Sequence, residues 1–471
     1  MALPNIMQTG RTGMVASKAK MGTSSHNIAN ANTEGFSRQR VETEADLPKA
    51  HGSKNLIGTG TLLSSTERVN DVYLEKQLRE AAKNLGNLEE KGQSLKQVED
   101  IFNEMGGEGL NRLMAKFFND FRKLSLEPDS RAVRQAVQES AAAMVGDFGR
   151  LRTQVEEVRA HLDSRLEGLI HESNSYAENI KDLNERIRTM ELSGASANDL
   201  KDKRDVAVKK LAGYMDMSFR SDEMGAIHAD IKNVGPLLSG PSVMKLSVDR
   251  SPADKDGKRE NSYSVRGEGS ASDDLTHSIK GGRIGALLET RDKVLSKVLE
   301  NLDTLAFSLS EKFNSIHSLG FDAKGGTGAN FFKPILDRDG AARFFQLSDE
   351  IRSDPARIAA AGERGAAGDN RIALAMAQIQ NEKFLEDGTS TVDDYFNAIV
   401  ADVGVASGRT QGALQQQKDI SIQLQKMRDQ VSGVSIDEET ANLIQFQHVF
   451  GASAKVIQVA DECLKTVLDL R

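Results

Sequence analysis
"SRAVRQAVQESAAAMVGDFGRLRTQVEEVRAHLDSRLEGLIHESNSYAENIKDLNERIRTMEL", residues 130–192, contains no proline. Apolar residues return every three or four positions: Val133, Val137, Met144, Leu151, Val155, Val158, Leu162, Leu169 and Ile180. That spacing lays one apolar stripe along an α-helix. About 60 residues at ~1.5 Å each make a rod of roughly 90 Å. Compact globules rarely use such helices, whereas bundled and fibrous assemblies do. Pro128 and Asp129 mark a turn just before it.

Upstream, Leu74, Ala81, Leu88, Leu95 and Phe102 recur at seven, with Leu78 and Leu85 on the same face. "GGEG" (106–109) interrupts that helix. A shorter apolar one follows, with Leu110, Leu113, Met114, Phe117, Phe118, Phe121 and Leu124. Downstream, "SGASANDLKDKRDVAVKKLAGYM" (193–215) reads as a turn and a further helix. Over 216–282 the pattern changes to short alternating runs, "MSFRSD", "AIHADIKN", "MKLSVD" and "SYSVRG", divided by Gly, Pro and Asp. Such runs predict strands and hairpins. Helix resumes near Gly285 and continues to about Leu319. The stretch 320–370 is glycine-rich and irregular, with one strand expected at "ARFFQLSD" (342–349). Helix restarts at "DNRIALAMAQIQ" (369–380). It starts again after a Ser390 or Thr391 cap, and once more over about Thr410–Gln430.

Both chain ends carry seams. Met7, Met14, Met21 and Ile28 recur at seven, each followed three positions later by a small residue: Gly10, Ser17, Ser24 and Ala31. Large and small residues alternating on one face let a partner helix approach closely. At the other end Ile436, Leu443, Phe450, Ile457 and Leu464 form an unbroken heptad series, with Phe446 beside it. Ser435 followed by Glu438 is a capping-box start. The two seams are expected to pair with each other or with copies of themselves. The fold class expected is mainly α: a long-helix rod or coiled-coil bundle with an inserted small β-domain and paired N- and C-terminal helices. Its expected parts are an inner helix and extended linker (1–69), a helical rod (70–215), a β-rich insert (216–282) and a returning helix (283–319). An irregular segment (320–370), further returning helices (371–432) and a C-terminal inner helix (433–471) complete it. The chain is expected to run out along the rod and return.

Apolar residues make up 38 % and aromatics 5 % of 471 residues, a lean composition that suits long helices with thin buried stripes. The net charge of −8 argues against nucleic acid, which demands a surplus of Lys and Arg. One cysteine, Cys463, permits no internal disulfide. No stretch approaches the roughly 20 apolar residues of a membrane span. The first residues lack the continuous apolar core of a secretory signal. The search for catalytic chemistry is negative. The eight histidines are scattered, so no metal pair is expected. Glycines at "DAKGGTGAN" (322–330) lack the Gly-Lys-Ser/Thr of a phosphate loop and read as a flexible loop. "DKDGK" (254–258) and "DRDG" (337–340) lack the glutamate of a calcium loop and read as turns. No catalytic residue, cofactor or metal is expected.

"NIANANTEGFSRQ" (27–39) resembles the N-terminal signature of bacterial flagellar axial proteins, carried here by Asn27, Asn30, Asn32, Gly35 and Phe36. The extension Ser37, Arg38, Gln39 resembles the family of hook–filament junction proteins, the first hook-associated proteins. "GVSIDEETANLIQFQHVFGASAKVIQVADECLKTVLDL" (433–470), "ANDLKDKRD" (197–205) and "GGRIGALLETRDKVL" (281–295) are similar to the same family. Glu34 stands where the family usually has Pro, and Phe36 where it has Tyr. The resemblance implies a structural subunit that self-assembles in a helical or ring-like layer through terminal helices that order on polymerisation. It implies hook protein on one side and a second junction protein or the flagellin side on the other. A chaperone on the C-terminal helix and unfolded export to the extracellular flagellum are implied too, without a cleaved signal peptide. The alternatives are a hook or rod protein and a cytosolic coiled-coil scaffold. "SRQ", "ANLIQFQ" and the long helix weigh against the first, and the asparagine motif against the second. Arg38 and Arg40 are expected at contacts between subunits.

Overall fold
Helical periodicity at the N-terminus becomes α1 (Ala2–Ala29) in a computed structural model. The structure describes residues 2–47, 49–51, 55–102, 109–251, 262–267, 274–366 and 368–469. After α1 come β1 (Gln39–Ala45), β2 (Lys49–His51), β3 (Asn55–Ile57) and β4 (Thr61–Arg68). Helices α2 (Val72–Phe102), α3 (Leu110–Leu126), α4 (Arg131–Leu192) and α5 (Asn198–Ala212) follow. The strands β5 (Met217–Ser221), β6 (Ile227–Ile231), β7 (Gly235–Ser239), β8 (Ser242–Val243), β9 (Leu246–Ser251) and β10 (Ser262–Gly267) come next. Then α6 (Gly282–Glu289) passes through a π turn (Thr290–Leu295) into α7 (Ser296–His317). Short helices α8 (Ala341–Phe344) and α9 (Asp349–Ser353) precede α10 (Arg371–Gln378), α11 (Val392–Ser432) and α12 (Ile436–Asp469). Most of "GGEG" and all of "DKDGK" lie outside the described residues.

The proline-free stretch after Ser130 forms α4, 62 residues without a break. Ser130 caps it, its Oγ accepting the Val133 N–H at 3.4 Å. The chain divides into two compact units, residues 1–85, 172–245 and 416–471, and residues 86–171 and 246–415. The boundary falls within α2, α4 and α11.

In the first unit α1 packs along α12. A Cβ on Gly10 would come within 2.7 Å of Ile457 Cγ1, and one on Gly13 within 2.8 Å of Ser453 Oγ. Glycine at those two positions is therefore what permits so close a crossing. The expected extended linker is instead a hairpin. β1 pairs antiparallel with β4, with a bulge between Glu42 and Thr43, and β2 with β3. It returns to α1 at Gly60, whose backbone lies against Thr12. β5-β6-β7-β8 form an antiparallel meander. Its buried residues include Met217, Ala229, Ile231, Leu237 and Leu238.

The second unit is organised by aromatic packing. Phe117, Phe118 and Phe121 of α3 meet Phe313 of α7 and Phe331 and Phe332 of the following loop. Phe332 continues the cluster to Phe345, and Phe345 to Phe148 of α4. Each ring is almost wholly buried. Each fully buried ring of this size contributes roughly 1.5–3 kcal/mol.

Four expectations need correction. The single β-rich insert over 216–282 is two sheets, because β9 pairs with β10 and not with the meander, and the two lie in different units. "ARFFQLSD" is not a strand. Asp303 accepts the N–H groups of Gly340 and Ala342, which starts the short helix α8, and only Leu347 bridges to Phe332. α11 runs unbroken through Gly404, Gly408 and Gly412, where two helices were expected. "DAKGGTGAN" is a built loop: Asp322 Oδ1 accepts the N–H groups of Lys324 and Gly326, and Gly328 donates to Gly320 O. A Cβ on Gly328 would overlap the His317 carbonyl oxygen at 1.9 Å.

Candidate functional site
The asparagine motif ends α1 and ties four other segments of the first unit together. Asn27 is buried and mimics a strand. Its Nδ2 donates to Gln39 O at 2.9 Å, and its Oδ1 accepts the Gln39 N–H at 3.0 Å. Asn30 turns back on the helix end, donating to His26 O at 3.0 Å and accepting from Thr33 Oγ1. Asn32 is exposed. Gly35 takes φ +80°, and a Cβ there would overlap Val206 Cγ2 at 2.1 Å. Glycine is thus required twice over, by conformation and by space. Phe36 is buried beside the His26 ring.

The next residues reach far along the chain. Ser37 N–H donates to Asp202 Oδ2 at 3.1 Å, and Gln39 Nε2 to Asp199 Oδ1 at 2.7 Å. Asp202 and Asp205 also hold Arg68 at 2.8 Å each. Burial opposes charge on Arg68, yet Asp205 and Asp202 outweigh it and hold its pKa above the usual guanidinium value. Arg428, near the end of α11, donates to Gly35 O, Phe36 O and Ser37 Oγ and pairs with Glu75. Arg38 Nε donates to Glu439 Oε1 at 2.7 Å and its Nη1 to Glu438 Oε2 at 3.0 Å, both on the first turn of α12. Arg38 N–H also donates to Ser432 O. The motif is therefore a clasp that joins the end of α1 to the α11–α12 corner. Arg38 is paired within the chain with Glu438 and Glu439. Arg40 is exposed, with Glu42 near it.

Sequence reading singled out the motif but missed Asp199, Asp202, Arg68, Arg428 and Glu439 as its partners. The available signal was the run "NDLKDKRD", three aspartates close together on one short helix.

The α1–α12 seam is only half closed. Met7, Met14, Met21, Ile28, Leu443, Phe446, Phe450, Ile457 and Leu464 are half-buried, and Lys20 lies over the Phe446 ring. Apart from Asn27, the residues α1 buries are small ones, Gly10, Ala16, Ser17 and Ser24. Ile436 is 52 % exposed and follows the Ser435 cap directly. On another face of α12, Val449, Ala452, Val456, Val459 and Cys463 recur at three and four, and all are exposed. Among the described residues no group of three or more His, Cys, Asp or Glu is placed to hold a metal, and no helix is long and apolar enough to cross a membrane. His317 is buried and neutral. It accepts the Ala359 N–H at Nε2 and donates from Nδ1 to Ala329 O, and burial lowers its pKa to about 4.

Three family models match. The one described as flagellar hook-associated protein FlgK helical domain matches residues 95–332. That of the flagellar basal body rod FlgEFG protein C-terminal matches 429–470, and that of flagella basal body rod protein matches 7–36. The chain is 28 % identical to flagellar hook-associated protein 1 of Bacillus subtilis, over 98 % of this chain and 97 % of that one. It is 22 % identical to the protein of the same name in Escherichia coli, over the whole of both. The solved flagellar hook junction protein FlgK from Burkholderia pseudomallei is similar in fold. Its TM-score is 0.66 at 17 % identity, over 76 % of this chain and 100 % of that chain.

Proposed function
The chain belongs to the flagellar hook-associated protein FlgK family, whose helical-domain model spans half of it, and from that membership we propose a structural, non-catalytic subunit at the hook–filament junction. Its full-length relatives carry the name flagellar hook-associated protein 1. The observation that carries the assembly mechanism is the half-closed terminal pair. Half-buried methionines and phenylalanines on the seam, and exposed valines on the next face of α12, are apolar surface that other copies would cover. Assembly then orders the termini, with burial of these faces offsetting the lost conformational entropy.

Hook protein binds one side of the layer, and a second junction protein or the flagellin side the other. The chain leaves the cell unfolded through the flagellar export apparatus, with a chaperone on α12, and resides in the extracellular flagellum. The hook or rod alternative is disfavoured by the FlgK-type helical domain. Immunogold labelling tests the reading. Gold at the hook–filament boundary is expected, and gold along the hook or throughout the cytoplasm would overturn it. Deleting residues 436–471 is expected to abolish incorporation, and normal filaments from that truncation would refute the role of α12.

A further inference from the structure
Three buried carboxylates of the second unit each pair with a cation on another helix. Glu90 of α2 accepts from Arg165 of α4 at Oε1 and from Arg283 of α6 at Oε2, both at 3.0 Å. Asp163 of α4 accepts from Arg291 of the π turn at 2.9 Å, and Arg291 also donates to Tyr263 O. Asp303 of α7 pairs with Arg152 of α4. Glu90, Arg152, Asp163, Arg291 and Asp303 are all buried.

Around these pairs the apolar residues repeat. Phe148, Val155, Leu162 and Leu169 recur at seven on α4, and Leu295, Leu302 and Leu309 recur at seven on the facing segment. A repeat of this kind is blind to a slip of one heptad, about 10 Å at 1.5 Å per residue. The charges are not blind to it. After such a slip Asp163 would face Ile284 or Val298 and lose Arg291, whereas Arg152 would face Ser296 or Ser310 and keep only Glu156 of its own helix, as Arg291 would keep Asp292. A buried charge left without its partner is strongly unfavourable, whereas apolar replacement of a whole buried pair is often neutral or stabilising. Selection of one arrangement, more than stability, is therefore what such pairs supply.

The π turn belongs to the same device. Arg152 and Asp163 are eleven residues apart on α4, while their partners Asp303 and Arg291 are twelve apart. A π turn takes one more residue per turn than an α turn. All of the turn but Thr290 falls in that interval and takes up the extra residue, so both pairs close at once.

We infer that the buried ion pairs and the π turn together form a register lock, which admits one axial pairing of α4 with α6 and α7 among several that the leucine repeat allows. The test uses the full chain with Cys463→Ser, carrying spin labels on Glu157→Cys and Lys297→Cys, two exposed positions. Pulsed dipolar spectroscopy of this parent is expected to give one distance. The apolar variant adds Glu90→Leu, Arg165→Met, Arg283→Met, Asp163→Leu, Arg291→Met, Arg152→Met and Asp303→Asn, the last keeping an acceptor for the α8 cap. It is expected to keep its helical circular dichroism and to gain a second, longer distance population, because a slip of one heptad (about 10 Å along the axis) carries the two facing labels apart. The exchanged pair Asp163→Arg with Arg291→Asp is expected to keep the single parental distance. One parental distance in the apolar variant would overturn the inference, because apolar packing would then suffice. Loss of helix in the apolar variant while the exchanged pair folds would also overturn it, because the pairs would then hold the fold itself.

Discussion

The aromatic core of the second unit and the terminal helix pair of the first are both built on apolar repeats, yet they are finished differently. Around Phe117, Phe313 and Phe331 every ring is enclosed by other rings of the same unit. Along α1 and α12 the large residues stop half-buried, glycine and serine occupy the closest approach, and Val449, Val456 and Val459 face outward. A closed core stabilises its own chain. A half-closed seam keeps apolar area in reserve for a neighbour. The contrast separates the part of the molecule that folds for itself from the part proposed to fold for the assembly.

Replacing Leu443 and Ile457 together with Asp is expected to remove all detectable incorporation into flagella. Loss of helical signal should be confined to α1 and α12, with the melting of the second unit unchanged. A collapse of that melting transition in urea would erase the distinction between the two regions. Phe313→Ala should do the converse. It is expected to destabilise the second unit by about 3–5 kcal/mol, read from the urea midpoint, while a folded remnant still shows the α1–α12 pairing.

Acid provides a gentler probe. Burial holds His317 at about 4 against an ordinary 6.5. The unfolded chain therefore takes up its proton before the folded one does. The stabilisation of the second unit is complete above about 6.5 and drains away as pH falls toward about 4, by ~3 kcal/mol in all. His317→Gln should flatten that slope in urea titrations between these limits, and an unchanged slope would count against the neutral imidazole. Ser435→Ala should have the smallest effect, about 1 kcal/mol. It would be seen as faster hydrogen exchange at Glu438 and Glu439 with no change around Phe313.

Much of this architecture can be read along the chain. The proline-free run after Ser130, the capping box at Ser435 and the heptads at both ends each depend on residues within a turn or two of one another. The helices α1, α4 and α12 follow from them. The same holds for the glycine at 35, since a chain leaving a helix through positive φ favours that residue. Reading along the chain failed where a local pattern had two outcomes. "ARFFQLSD" alternates well enough for a strand, but Asp303, distant in sequence, caps it into a helix. The strands of 216–282 carry no mark of which sheet each joins. The glycines of "DAKGGTGAN" signalled freedom, while packing against His317 leaves no room for a Cβ at Gly328.

Periodicity, caps and turns thus settled which segments are helical and that both ends carry an apolar seam, because those preferences act over a few residues. Folding alone decided that Arg38 serves Glu438 and Glu439, that Arg428 closes the motif, that Arg291 finds Asp163, and that α12 leaves its valines uncovered. An ion pair or a buried face is set by distance in space, and residues hundreds of positions apart acquire one only when the chain has packed.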